Sequence, residues 1–357
     1  MPKLVQQQHT FEDYINDFMI DCTNRELRTK TRKSYESSLK LFAKYLEEEK
    51  EITTPLDVTT KDIKDYMNFT LDRGKYSYVS EFNSIQFNNP VARKDFGKSV
   101  SKVTINGYLR NIKAFYSYLF NNRIVKTNVA QGIKQLDFTR IPKETITDVD
   151  FNKLLKVLDL TNYAEYRDYV IIQLLIDTGM RIGETLKLQK DFILLENKSI
   201  FLPKEITKGR KDRYVYFGNK MQTILRKWLD YQDRYFNSEY IFTSQRGNEL
   251  IAGNIEKNLK KYSQRAKLEH NVTPHQLRNN FAKRFLLSGG DIYVLSKILG
   301  HSSVEVTQKA YLDVTNEELR KAYIHFSPLE EINTNKTNID TQLNKQKGLL
   351  TQKDLIK

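Results

Sequence analysis

The sequence predicts a mainly α-helical chain of two domains, the second with a small antiparallel sheet built into it. Three observations lead there. Apolar residues recur at helical spacing through much of residues 10–136 and again beyond residue 148. Residues 199–217 alternate with the two-residue period of strands and break at Lys208, Gly209, Arg210 and Lys211, as a hairpin turn would. Between the helical halves lies a short charged segment containing Pro142, suited to a linker.

Tyr35, Leu39, Phe42 and Leu46 follow one another at steps of four, three and four, which places them on one buried helix face. Thr59 and Asp62 stand at capping-box spacing ahead of a second helix. Ile105, Leu109, Ile112, Tyr116 and Leu119 give a third helix the same stripe. These helices define a first domain over residues 1–136. It is interrupted at 74–100, where Asn, Ser, Gly and Pro90 show no period, so a long loop or insertion is predicted there.

Residues 137–147 are the predicted linker. Thr147 and Asp150 form another capping signal, and from there residues 148–326 make the second domain. It comprises a short helix over 151–158, an apolar helix over 166–177, the hairpin, and helices resuming at Lys220. The tail, residues 327–357, is rich in Asn, Gln, Thr and Lys and has little to bury besides Leu349, Leu350 and Leu355, so it reads as a mobile segment or a docking arm. No internal repeat or heptad run points to a solenoid or coiled coil.

Lys and Arg total 58 against 44 Asp and Glu, a formal net charge of +14 that favours a polyanionic partner, nucleic acid before anionic membrane. The plain alternative is that the excess Lys only keeps the chain dispersed. A single cysteine, Cys22, read as a partly buried helix residue, excludes an intramolecular disulfide and a zinc site of several thiolates. No stretch approaches the roughly 18 consecutive apolar residues of a membrane span, and no targeting segment opens the chain, so the cytoplasm is the expected location.

Three motifs stand at turns and caps, where side chains converge on ligands more readily than from apolar stripes. In TGMRIGE, residues 178–184, Gly179 ends the apolar helix and Arg181 sits in the turn. A guanidinium presents five donors in a flat fork that matches two phosphate oxygens. In TPHQLR, residues 273–278, Thr273 is an N-cap and Pro274 the first helical residue. His275 and Arg278 then lie three apart near the positive end of the helix dipole. In LGHSSVEVTQKAYL, residues 299–312, Gly300 stops one helix, His301 occupies the turn, Ser302 with Glu305 can cap the next helix, and Tyr311 lies near its end. Taken singly, each motif is an ordinary surface pattern, and Tyr311 is one of 21 tyrosines.

Jointly and in this order, TGMRIGE, the KGRK hairpin, HQLR, LGHSS and Tyr311 resemble the motif set of the tyrosine recombinase and phage integrase family. The resemblance covers residues 147–326, and more loosely the N-terminal helical part, which is similar to the family's core-binding domain. It implies that Arg181 and Arg278 bind the non-bridging phosphate oxygens and that Lys208 is the hairpin lysine. His275 and His301 fill the remaining acid/base or hydrogen-bonding positions, and Tyr311 is the nucleophile. Glu184 is weighed only as a group orienting Arg181 or His275, against a plain surface carboxylate.

The chemistry implied is site-specific cutting and rejoining of DNA through a 3′-phosphotyrosyl bond, with no metal, ATP or other cofactor. The partners implied are a double-stranded DNA core site and a homotetramer on paired sites, with accessory DNA-binding proteins open and no membrane. The early start of the helical domain leaves no room for an arm-site DNA-binding domain, a departure from the arm-binding integrases toward Xer-type or transposon-encoded recombinases. The tail is expected to dock on a neighbouring subunit. Competing readings are a type IB topoisomerase and a catalytically silent DNA-binding protein on the same fold; a metal-dependent nuclease fits poorly because the carboxylates are scattered. Bacterial origin is suggested by composition, while phage, transposon and chromosomal ownership stay open.

Overall fold

The computed structural model describes residues 9–79, 89–138, 145–236, 238–311 and 320. The chain divides into two compact units, Met1–Ile141 and Pro142–Lys357.

In the first unit the helices are α1 (Phe11–Asn24), α2 (Thr29–Lys50), α3 (Thr60–Asp72) and α4 (Lys102–Asn121). The Thr59–Asp62 box forms as predicted: the Asp62 carboxylate accepts from the Thr59 backbone N–H at 2.8 Å and the Thr59 hydroxyl accepts from Asp62 N–H. Thr10 and Asp13 make a second such box ahead of α1. Leu39, Phe42 and Leu46 of the α2 stripe are buried and Tyr35 is half-buried, while all five apolar residues of the α4 stripe are buried. These stripes meet a cluster of aromatic rings, with Phe18 edge-on to Phe115 at 5.6 Å and Phe42 beside Tyr66 at 5.0 Å. Cys22 is fully buried against this core, not partly as read from sequence, because it lies on the same α1 face as Phe11, Ile15 and Phe18.

The stems of the 74–100 loop clasp each other. Lys75 N–H donates to Lys98 O at 2.7 Å and Gly97 N–H to Lys75 O at 2.9 Å. Gly74, at φ +77°, permits this approach, since a Cβ there would lie 2.7 Å from Gly97 O. A 3-10 turn, Pro90–Ala92, forms inside the loop, and residues 80–88 lie outside the described residues.

The second unit contains α5 (Asp148–Lys156), α6 (Tyr163–Thr178), α7 (Ile182–Thr185), strands β1 (Ile193–Leu194), β2 (Ser199–Leu202) and β3 (Arg213–Tyr216), then α8 (Asn219–Tyr235), α9 (Ala252–Arg265), α10 (Pro274–Leu287), α11 (Ile292–Leu299) and α12 (Val304–Tyr311). Thr147 caps α5 by accepting from Asp150 N–H. Helix α6 is the centre of the core, with Val170, Ile171, Ile172, Leu174 and Leu175 all buried. The sheet is antiparallel in the order β1-β2-β3, with Ile200 opposite Val215 and Leu202 opposite Arg213. Two readings need correction. The hairpin is joined by residues 203–212, not by a tight turn at 208–211, because Thr207 is buried and its hydroxyl organises the connection through Lys211. Helix α12 begins at Val304, so Ser303 and not Ser302 precedes it. The chain after Gly300 is still closing α11 there, His301 N–H donating to Ser296 O at 3.1 Å. Strand β1, of two residues, is too short to show alternation in the sequence.

No helix among the described residues is long and apolar enough to cross a membrane. The predicted tail, residues 312–319 and 321–326 of the predicted second domain, and part of the linker at 139–144 lie outside the described residues.

Candidate active site

Two helix stops create the site. Gly179 ends α6 at φ +65° and Gly300 ends α11 at φ +64°, both in the left-handed region that a Cβ disfavours. A Cβ on Gly179 would come within 2.3 Å of the Phe281 ring, so the residue is also needed for packing. Just beyond these stops lie Arg181 and His301. Thr273 starts α10 with a capping box to Gln276 and Pro274 follows, which sets Arg278 one turn into the helix.

Arg278 is buried at 3% exposure and ties the two stops together. Its Nη1 donates to Gly179 O and its Nη2 to Leu299 O, each at 2.7 Å, and Nη2 also lies 3.0 Å from His301 Nε2. Arg181 donates from Nη1 to Glu184 Oε1 at 3.0 Å and from Nη2 to Gly300 O at 3.3 Å, and its side chain remains about a quarter exposed. Glu184, buried at 2%, also accepts from the Arg181 backbone N–H at 3.0 Å. A third guanidinium, that of Arg213, binds both oxygens of Glu184, at 3.2 and 2.6 Å, and donates from Nε to Ile298 O at 3.0 Å.

Burial alone pushes the Glu184 carboxyl upward, but the Arg213 bonds, the Arg181 backbone N–H and the two positive charges outweigh it and hold the group below its ordinary value. His301 moves down, to about 4, because burial disfavours the imidazolium and Arg278, Arg181, Arg213 and His275 surround it with positive charge. Its Nδ1 lies 2.8 Å from the hydroxyl of buried Thr307 in α12, and Tyr311 stands one helical turn beyond Thr307.

Of the six residues named from sequence, Arg181, Arg278 and His301 are brought together around the Gly300 turn. His275 is exposed at the second position of α10 and near enough to His301 to act on its charge. Lys208 is exposed on the 203–212 connection. Tyr311 is a residue of α12, and its side chain lies outside the described residues.

Residues 144–318 match the profile of the phage integrase family. The tyrosine recombinase XerC of Leptospira interrogans is 31% identical over 221 residues, covering 60% of this chain and 69% of the relative. The chain belongs to the tyrosine recombinase family. The tyrosine recombinase XerD of Listeria monocytogenes is 27% identical, with 88% of this chain and 99% of the relative covered. Among solved structures, the Tn1549 transposon integrase in complex with a circular intermediate DNA superposes with a TM-score of 0.65 at 18% identity, covering 89% of this chain and 99% of that one. The lambda integrase tetramer bound to a Holliday junction gives 0.61 at 15% identity, covering 84% and 79%. At these identities the structures establish the tyrosine recombinase fold, mostly helical with a small antiparallel sheet.

One residue of this candidate site, Arg213, is marked by none of the sequence motifs. Arg213 follows the KGRK segment and opens the strand opposite Leu202. The available signal was alternation, which puts Arg213 on the same strand face as buried Val215 while Tyr214 and Tyr216 point to solvent. Glu184, weighed as a group orienting Arg181 or His275 against a plain surface carboxylate, is buried, bonds Arg181 and joins it to Arg213.

Proposed function

We infer that this recombinase cuts and rejoins DNA at specific sites by transesterification through Tyr311. The Tyr311 oxygen forms a bond to the scissile phosphorus while the bond from phosphorus to the 5′ oxygen breaks, leaving a 3′-phosphotyrosyl link and a free 5′ hydroxyl. The phenol proton, with an ordinary pKa near 10, leaves toward His275. Lys208 delivers a proton to the departing 5′ oxygen. Rejoining runs the same steps backward, and because the phosphotyrosyl bond keeps the energy of the broken diester, ATP has no role. Arg181, Arg278 and His301 stabilise the charge that gathers on the phosphoryl oxygens, and losing one such preorganised donor costs on the order of a hundredfold in rate.

The observation that carries this reading is the convergence of Arg181, Arg278 and His301 on the Gly300 turn, with His301 bonded into the helix that contains Tyr311. The partner is a double-stranded DNA core site, and four copies acting on two paired sites fit the lambda integrase tetramer seen on a Holliday junction. The proposed setting is a bacterial cytoplasm.

The test is adduct capture. Wild-type protein and Tyr311→Phe are incubated with sheared source DNA in EDTA, denatured with detergent, and protein-bound ends are sequenced. Wild-type adducts at one recurring sequence, absent from Tyr311→Phe, are expected. Adducts scattered over many sequences would indicate a topoisomerase, and equal trapping by both proteins would remove Tyr311 from the chemistry.

A further inference from the structure

We propose that Arg213 is a positioning residue for strand cleavage, acting through Glu184 on Arg181; this deepens the recombinase reading and rests on it. Arg213 opens β3, and its side chain is only 9% exposed. Each of its three guanidinium nitrogens has a protein partner, Nη1 and Nη2 gripping the two oxygens of Glu184 and Nε donating to Ile298 O. Buried and committed to these partners, it is a brace rather than a phosphate ligand. Glu184 uses the same two oxygens to receive the Arg181 backbone N–H and Nη1.

Arg213 also sets the second anchor of Arg181. Its Cδ and Nε occupy the space beside Gly300, where a Cβ would lie 3.0 Å from each, and the carbonyl of that glycine accepts from Arg181 Nη2. One side chain thus braces both the carboxylate and the turn that hold Arg181 in place. A lone Arg181–Glu184 pair at i, i+3 would leave both side chains free to move together; the second guanidinium fixes the carboxylate plane. Lysine cannot reproduce this, because a single ammonium lacks the planar fork that reaches two carboxylate oxygens and a carbonyl at once. Since β3 follows the connection that carries Lys208, the same contact anchors that hairpin beside Arg181.

The test uses the full chain and a nicked duplex bearing the sequence recovered by adduct capture, measuring single-turnover adduct formation at saturating protein and half-site affinity separately. Arg213→Gln is expected to slow adduct formation by roughly tenfold to a hundredfold with affinity within about threefold of wild type, the signature of lost transition-state stabilisation. Glu184→Gln should do the same, and the double variant should be no slower than the slower single one, because the two act as a unit. Arg213→Lys should recover part of the rate, and it replaces the glutamine variant in this cycle should that protein not fold by circular dichroism. A wild-type rate in Arg213→Gln, a double variant slowed by the product of the single effects, or affinity lost in parallel with rate overturns the proposal. If wild-type protein forms no Tyr311 adduct, the recombinase reading falls and takes this inference with it; if it does, those outcomes count against Arg213 alone.

Discussion

Nη2 of Arg278 lies 3.0 Å from Nε2 of His301, so the ring nitrogen facing the guanidinium is the one without a hydrogen. Nδ1 then holds the proton and donates it to the Thr307 hydroxyl at 2.8 Å. In this state His301 is a neutral acceptor toward Arg278. For Nε2 to donate to a phosphate oxygen it must gain a proton or exchange tautomers when the phosphate takes its place beside Arg278.

His301 should therefore titrate near 4 in the DNA-free protein, followed by the imidazole carbon-proton shifts in nuclear magnetic resonance. Its folded value lies below the unfolded value of about 6.5, so the unfolded chain binds more protons between those limits. The contribution to stability is complete above about pH 6.5 and is lost as pH falls toward 4. DNA binding should raise the value, because a phosphate offsets the surrounding positive charge; an unchanged titration on saturating DNA would count against contact between His301 and the phosphate.

Glu184→Ala leaves Arg181 and Arg213 facing each other with no carboxylate between them. Removing one partner from a buried pair costs about 3–5 kcal/mol, so the urea midpoint should fall sharply with an unchanged slope. A loss within the range of ordinary surface substitutions would show that the two guanidiniums find other partners.

Gly179→Ala combines a left-handed backbone with a Cβ driven into the Phe281 ring. The two effects together should cost about 2–4 kcal/mol. Because Arg278 Nη1 is bonded to the carbonyl of this residue, adduct formation should also slow at temperatures where the protein remains folded. Denaturant titration and single-turnover cleavage measure the two consequences separately.

Lys208→Ala should slow cleavage by on the order of a hundredfold or more if the lysine is the general acid. A substrate with sulfur in place of the 5′ bridging oxygen needs no protonated leaving group, so the variant should cleave it at close to the wild-type rate. Equal defects on the oxygen and sulfur substrates would move Lys208 from proton donation to binding.

Most of the helical framework was legible because it rests on local chemistry. The Thr59–Asp62, Thr147–Asp150 and Thr273–Pro274 signals each mark a helix start, and the α2 and α4 stripes are the faces that meet the first core. Glycine at 179 and at 300 announced helix stops because no other residue adopts a left-handed backbone so readily. A local signal misleads where a neighbouring helix end competes for the same residues. The Ser302–Glu305 spacing satisfied a capping pattern, yet the closing bond from His301 to Ser296 delayed the helix to Val304. Two-residue strand β1 exists because β2 supplies its partners, and nothing within Ile193 and Leu194 themselves demands it.

Local caps, stripes and glycine stops carried the helical architecture, since each depends on spacing within a few residues, and the joint order of the motifs carried the resemblance to the family and made Arg181, Arg278 and His301 candidates. What those residues hold is set by packing between distant elements. Arg278 serves carbonyls at Gly179 and Leu299, and Glu184 joins Arg181 to Arg213 across 29 residues of chain. Such contacts are chosen by how helices and sheet pack, and a buried carboxylate takes whichever guanidinium the packing delivers. No local pattern in the sequence records that choice.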